Sequence, residues 1–574
     1  MNRNMRPDRK EKYASHMTFD EYGRPFIILR EQSEKEQISG VDVIKGHILA
    51  AKAVTSIMKS SLGPKSLDKA MLSPDGDLTV TNDGVTILQQ MDVDHAIAKL
   101  LVELSECQDN GVGDGTTGVV VLAGALLEEV DKLIEKGIHP IRIADGFELA
   151  AQFCMKHLDS ISEQISVENN NDFLKRIAMT SLRSKIVSKC TEKFAEMAVE
   201  AVLKVADIEN NFVDLERIKM EGKTGGSLED TILVNGVVLD QQFSHSHMEK
   251  ELTKAAIAIV GCGLEMPKPN QVKAYLEMAS IDTFKEVKEY EQEIYNLMVN
   301  KLVEVGANCV VCQAGIEDTA NYLLLRTNTI GLRYVSEREI ELMRSATGAK
   351  VVARFEDLTY EKLGFAGSVR ELSIGTDNNR LVLFEDCLNS SVVTILIRGG
   401  NSLVSQAKRS FHDALCMIKN LILENKIVYG GGSCELSCAI AVSKEADKIS
   451  TLEQYSFRAF ADALESIPIT LAENCGYSPI HLVTETKSRQ ILEENPFLGI
   501  DCMQEGTSDM KKQQVIETLR SKKQQILLAM QVVKQILKID EVRATDKNYE
   551  IVVIKIRAQH SVILLELCNN ILTL

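Results

Sequence analysis

Gly111-Val112-Gly113-Asp114-Gly115-Thr116-Thr117-Gly118 places four glycines, a carboxylate and two hydroxyls directly ahead of an apolar-periodic segment, Val119 to Lys136. Within that segment Leu122, Leu126, Val130 and Leu133 recur on one helical face. Glycine lets backbone N–H groups approach an anion closely. The first N–H groups of a helix have no partner within it and carry the positive end of its dipole. A glycine-rich loop that opens a helix is therefore suited to phosphate. Asp114 in such a loop could also hold Mg²⁺, which takes one or two carboxylates together with phosphate oxygens and water. The same residues also fit a plain turn before a capped helix, and spacing alone leaves both readings open.

Outward from this stretch, Lys132 and Lys136 suit a helix C-terminus, Gly137 the position after it, and Pro140 the stop. A second helical pattern follows from Ile141 to Leu158. On the other side, Leu78-Thr79-Val80 and Val85-Thr86-Ile87 flank Thr81-Asn82-Asp83-Gly84, which predicts a hairpin turned at Asp83-Gly84. Earlier still, Val41 to Ser60 has helical spacing and breaks at Leu62-Gly63-Pro64. Lys65-Ser66 imitates the end of a P-loop, but Pro64 stands where that motif needs glycine. Residues 1–20 read as a frayed end.

After about Ile218 and as far as Gly375, the chain is richer in β-branched residues and glycine. Thr231 to Leu239 reads as a hairpin turned at Asn235-Gly236. Ala255 to Val260, Cys309 to Cys312 and Lys350 to Ala353 read as short strands, and Asp282 to Val303 as a charged helix. Helix-rich sequence then resumes, so this region reads as an inserted α/β module. Val392 to Ile397 is a β run, followed by helical sequence through Arg409-Ser410-Phe411-His412-Asp413-Ala414-Leu415. His412 and Asp413 look like an acid/base pair, yet adjacent residues of a helix do not face each other, so His412 reads as structural. Gly430-Gly431-Gly432 opens a further helix over Cys434 to Lys444, and Gln513 to Ile539 reads as one long helix.

At 574 residues the chain is long enough for three or four domains, and 45% hydrophobic with 26% charged residues is ordinary for a soluble protein. A net charge of −17 works against a nucleic-acid groove. No apolar run is long enough to predict a membrane span, and Met1 to Lys12 lacks the apolar core of a secretory signal. Thirteen cysteines without framework spacing predict free thiols in a reducing compartment. The pair Cys309 and Cys312 lies in an apolar strand without a second Cys or His pair, which points to buried thiols.

Taken in order, Leu62-Gly63-Pro64, Thr81-Asn82-Asp83-Gly84, Gly113-Asp114-Gly115-Thr116-Thr117, His412-Asp413-Ala414-Leu415 and Gly430-Gly431-Gly432 resemble a group II chaperonin subunit over about residues 18–541. Phe19 to Phe26, Asp92-Val93-Asp94-His95 and Gly137 to Asp145 narrow the resemblance to the eukaryotic cytosolic ring (CCT, also called TRiC). The resemblance implies a multidomain α and α/β chaperonin fold. A mainly helical equatorial ATP-binding domain would comprise 1–145 and 426–541, and a small intermediate hinge domain 146–217 and 372–425. An inserted α/β apical domain, 218–371, would bind clients and carry a helical lid protrusion near 268–303. Residues 542–574 would be an atypical tail.

The resemblance further implies ATP hydrolysis driving lid closure over non-native clients such as actin and tubulin. The cofactors would be ATP and Mg²⁺, the partners other subunits of an eight-membered double ring, and the location cytoplasmic, with no nucleic acid and no membrane. Asp114 would ligate the metal, while Gly113, Gly115, Thr116 and Thr117 would cradle phosphates. Asp83 and Asp413 would polarise the attacking water, and Lys185 would sense the terminal phosphate. Leu62, Gly63, Pro64, Gly84 and Gly431 would line the nucleotide pocket, with Asp509 at the ribose or base.

Three features depart from the family pattern. Ser66 stands where glycine is usual and would be strained if its φ were positive. Arg183 stands where a small residue precedes Ser184-Lys185, and it could help hold phosphate or push Lys185 aside. The tail carries two apolar windows, Ile551 to Ile554 and Val562 to Leu565, which are aggregation-prone if exposed. It reads as a divergent extension without a role of its own or as a new binding segment. These departures motivate a non-hydrolysing paralogue that acts as a scaffold or binding protein. A small-molecule phosphotransferase is disfavoured, because kinase and P-loop signatures are absent.

Overall fold

The computed structural model describes residues 41–539 except 74, 75, 77, 92, 94, 166–170, 209, 267–280, 375–379 and 390, together with the backbone of three further strands. The chain divides into two units, Met1–His47 with Ile536–Leu574, and Ile48–Gln535.

In the first unit Tyr13–Phe19 pairs antiparallel with Pro25–Glu31, and Val552–Lys555 pairs antiparallel with Pro25–Glu31 as a third strand. The expectation of a frayed end over 1–20 is thus corrected at 13–19. One apolar window of the tail is likewise paired rather than free. A Val-Val-Ile run favours strand, and a third strand supports a hairpin that would be marginal alone. The second window, Val562 to Leu565, lies outside the described residues, as do Asp92, Asp94 and positions 268–280 of the expected lid.

The larger unit is built around Thr116–Glu135, a helix apolar on all sides from Gly118 to Leu127 and charged on one face beyond. Val119, Val120, Val121, Leu122, Leu126, Leu127 and Val130 are fully buried, which is the pattern of a central core helix. Ala96–Val112, Pro140–Ile161, Glu453–Leu464 and Ser466–Asn474 pack on it. Phe147 meets Phe460 edge to face at 5.9 Å. Helices from both ends of the larger unit's sequence therefore share one core. Pro140, expected as a stop, instead occupies the first turn of Pro140–Ile161, where its missing N–H costs nothing.

A three-stranded sheet orders Ile218–Thr224, Val393–Gly399 and Ile232–Val234. It is covered by Thr191–Val205 and Asn401–Leu423, where Phe194 stacks on Phe411 at 4.4 Å, and Asn171–Leu182 packs on these two helices. A six-stranded mixed sheet runs Ile330–Leu332, Cys309–Cys312, Glu251–Val260, Gly364–Ser373, Arg380–Cys387, Gly236–Leu239. The helices Ile281–Val305, Asp318–Arg326 and Glu337–Thr347 belong to this α/β module. Cys309 and Cys312 are buried in it, and burial pushes the Cys309 thiol up to about 12. The described cysteines are all free thiols.

Both expected hairpins are absent. Leu78–Thr81 pairs with the preceding strand Lys69–Leu72, and Gly84–Gln90 is a helix whose N-cap is Asp83. Asp-Gly serves a cap as well as a turn, and here the cap wins, with the Asp83 carboxylate accepting from the Thr86 N–H at 3.3 Å. Ile232–Val234 pairs with Val393–Gly399, whereas Gly236–Leu239 pairs with Arg380–Cys387. Asn235-Gly236 thus passes the chain from one sheet to another. Lys350 to Ala353 contributes only a bridge between Val352 and Val260. The expected helix from Gln513 starts at Leu519, because Ile516–Thr518 pairs as a strand with Lys426–Tyr429.

Candidate functional site

Gly113 closes the helix Ala96–Val112 at φ 74°, and Gly115 opens Thr116–Glu135 at φ 77°. Two left-handed residues within three positions explain the glycines, since a side chain would be strained there. A Cβ on Gly113 would also run into Cys416, and one on Gly115 into Gln525. The turn is clamped from outside: Gln108 Nε2 donates to Asp114 O at 2.8 Å, and Asn420 Nδ2 to Val112 O at 2.7 Å. The first backbone bond of the following helix runs from Val119 N to Gly115 O, 3.1 Å. The N–H groups of Thr116, Thr117 and Gly118 therefore have no partner within the helix.

This turn forms part of the wall of a cavity. Leu62, Gly63 and Pro64 line it from the end of Val41–Lys59, held by Asn474 Nδ2, which donates to Leu62 O at 2.7 Å. Gly113 to Gly118 form another wall, Arg183, Ser184 and Lys185 a third, and Asp413 enters from Asn401–Leu423. Gly431 and Gly432 line it ahead of Ser433–Ala446. Ile467, Leu471, Ile500, Met503 and Met510 supply apolar surface. Such a lining, apolar with a few convergent polar groups, suits a small-molecule ligand.

Two expected residues stand just behind the lining. Asp83 Oδ1 lies 3.9 Å from Lys185 Nζ, and Gly84 backs onto Thr116 and Thr117 so closely that a Cβ would come within 2.8 Å of Thr117 Oγ1. Asp509 is not brought to the cavity. Its carboxylate caps Met510–Gln513 by accepting from the Lys511 N–H at 3.1 Å, while Lys512 Nζ stands at 3.6 Å. The neighbouring Met510 and Gln513 line the cavity instead.

Lys185 holds the carboxylates together. Its Nζ is 2.8 Å from Asp413 Oδ2, opposite the longer contact to Asp83. Burial pushes the Asp413 carboxyl up to about 7, against the opposing pull of Lys185. Burial alone would lower the Lys185 ammonium, but Asp413 and Asp83 outweigh it and raise it. Asp114 is raised by burial, as is Asp109, on which the nearby Asp83 acts in the same direction. Among the described residues no group of three or more His, Cys, Asp or Glu converges to hold a metal. Asp114, one carboxylate beside free N–H donors, suits a cation that arrives with an oxyanion.

Sequence reading missed Asp109, Asn82, Lys522, Glu517 and Gln525. Lys522 Nζ bridges Glu435 at 2.7 Å and Glu517 at 2.6 Å, and Lys522, Glu517 and Gln525 line the cavity. Glu435 lies 87 residues from Lys522, so no local spacing announces that pair. Asp109 sits one helical turn before Gly113, which was an available signal. Ser66 is not among the residues with positive φ, so the expected strain is absent; its hydroxyl accepts from Asn82 Nδ2 at 3.3 Å. Arg183 does not push Lys185 aside, since the Lys185–Asp413 pair is made. His412 faces away from Asp413, with Nε2 3.5 Å from Cys416 Sγ.

The model of the TCP-1/cpn60 chaperonin family matches residues 54–547. T-complex protein 1 subunit epsilon of Encephalitozoon cuniculi is 42% identical over 530 residues, 92% of this chain and 99% of that one. This agrees with the narrower resemblance of Phe19 to Phe26 and Gly137 to Asp145, which is to an epsilon-type subunit. Thermosome subunits of Pyrococcus abyssi and Methanocaldococcus jannaschii are each 38% identical, covering 92% of this chain and 95% and 96% of their own. With this coverage, and with the glycine turn and its carboxylates gathered at one cavity, the chain belongs to the TCP-1/cpn60 chaperonin family.

Proposed function

We propose that the chain is an ATP-hydrolysing subunit of a cytosolic, hetero-oligomeric double-ring chaperonin. It would fold non-native clients such as actin and tubulin by closing a lid over them. The observation that carries this reading is Lys185 clasping Asp413 and Asp83 beside the Gly113–Gly118 turn. In the family's terms, 1–145 with 426–541 is the equatorial domain, 146–217 with 372–425 the intermediate domain, and 218–371 the apical domain. The helix Ile281–Val305 falls mostly within the lid region.

The cavity fits a Mg²⁺-nucleotide by its donors: free N–H groups and hydroxyls at Thr116 and Thr117, a carboxylate at Asp114, and apolar walls. Bound there, Mg²⁺ would neutralise charge on the phosphates. Asp114 holds the metal, and the N–H groups of Thr116 to Gly118 receive phosphate oxygens. Gly63, Pro64 and Gly431 shape the pocket. Asp413, with its carboxyl near neutrality, accepts a proton from the attacking water, and Asp83 helps orient that water. Lys185 exchanges its carboxylate partners for the terminal phosphate. The departures that suggested a non-hydrolysing paralogue lose force, since Ser66 is unstrained and Lys185 is in place.

The test is Mg²⁺-dependent nucleotide binding by the full chain. Asp114→Ala should weaken MgATP and MgADP alike by at least about tenfold, the scale of one lost charged contact. Equal binding by parent and variant, with or without Mg²⁺, contradicts the assignment.

A further inference from the structure

Three cations line the cavity. Lys185 is paired with Asp413 and Asp83, and Lys522 with Glu435 and Glu517. Arg183 alone has neither an ion pair nor a side-chain hydrogen bond among the described residues. We propose that Arg183 is a second phosphate-binding cation that contacts the terminal phosphate and gives this site a preference for nucleoside triphosphate over diphosphate. The inference rests on the nucleotide reading above.

Two observations bring the Arg183 segment beside the groups assigned to the terminal phosphate. First, it follows the helix Asn171–Leu182 directly and its backbone is fixed, with Arg183 N bonded to Met179 O at 3.0 Å and Lys185 N to Leu182 O at 3.1 Å. Second, the segment is tied to the carboxylates assigned to the attacking water: Lys185 reaches both, and Asn82 Nδ2, next to Asp83, donates to Ser184 O. The phosphate nearest that water is the terminal one. A guanidinium offers five N–H donors in a planar fork that matches phosphate oxygens, and it stays charged at any working pH. Lys185 must give up its carboxylates to reach a phosphate, whereas Arg183 has no pair to break among the described residues.

The experiment measures binding of Mg²⁺ with AMPPNP, a non-hydrolysable triphosphate, and of MgADP by the full-length chain. Arg183→Gly should weaken the triphosphate by about tenfold or more and the diphosphate by less than about twofold, while Arg183→Lys recovers part of the loss. Triphosphate affinity unchanged in Arg183→Gly, or equal losses for both nucleotides, overturns the inference. Asp114→Ala separates the two levels: it should weaken both nucleotides. A parent chain that binds neither overturns the nucleotide reading and this inference together. Circular dichroism checks that Arg183→Gly is folded, and Arg183→Lys reports on the charge if it is not.

Discussion

At the scale of single residues, the account turns on Asp413. An ordinary carboxyl stays ionised down to about pH 4. Burial raises Asp413 to about 7, so it is ionised and able to accept a proton above that pH and protonated below it. Turnover should therefore fall as pH drops through about 7, whereas an unshifted carboxylate would hold it to about pH 4. Steady-state kcat from pH 5.5 to 8.5 reads this directly, and a flat profile would remove Asp413 as the proton acceptor. Lys522 makes a different claim. It is buried between Glu435 and Glu517, so Lys522→Ala leaves two carboxylates without their cation. Such a change costs about 3–5 kcal/mol, readable as a lowered urea midpoint.

At the scale of elements, the helix Thr116–Glu135 can be close-packed because Gly124 lacks a Cβ where Thr55 lies. Gly124→Val would force that side chain against its neighbour and destabilise the fold by about 1–3 kcal/mol, as a thermal melt would show. This helix and the glycine turn were legible in sequence, since their spacing and φ demands are local. Asp83-Gly84 and Asn235-Gly236 were misread because the same dipeptides serve helix caps and sheet crossings as well as hairpins. Val85-Thr86-Ile87 are β-formers, yet the cap at Asp83 and burial of Val85, Thr86 and Ile87 make them helical. The resemblance put Asp509 at the ribose or base, whereas its carboxylate caps Met510–Gln513 and meets Lys512. The Lys522 network was not legible, since Glu435 reaches it only through tertiary packing and Glu517 only because a strand, Ile516–Thr518, runs straight into the helix Leu519–Leu537.

At the scale of the larger unit, the site is divided. Asp114 and Thr116 sit at the central helix of one core, and Asp413 comes from Asn401–Leu423, which covers the three-stranded sheet. Cys416 of that helix fills the space left by Gly113, so the two parts already touch beside the glycine turn. A reaction that needs both parts can be gated by their relative movement. The central claim is that binding belongs to the glycine turn and hydrolysis to Asp413. The direct measurement is ATP turnover and MgADP affinity of rings carrying Asp413→Ala in this chain. The account predicts turnover by this subunit reduced about 10²-fold or more, with MgADP affinity within about twofold of the parent. Turnover unchanged in Asp413→Ala would contradict it.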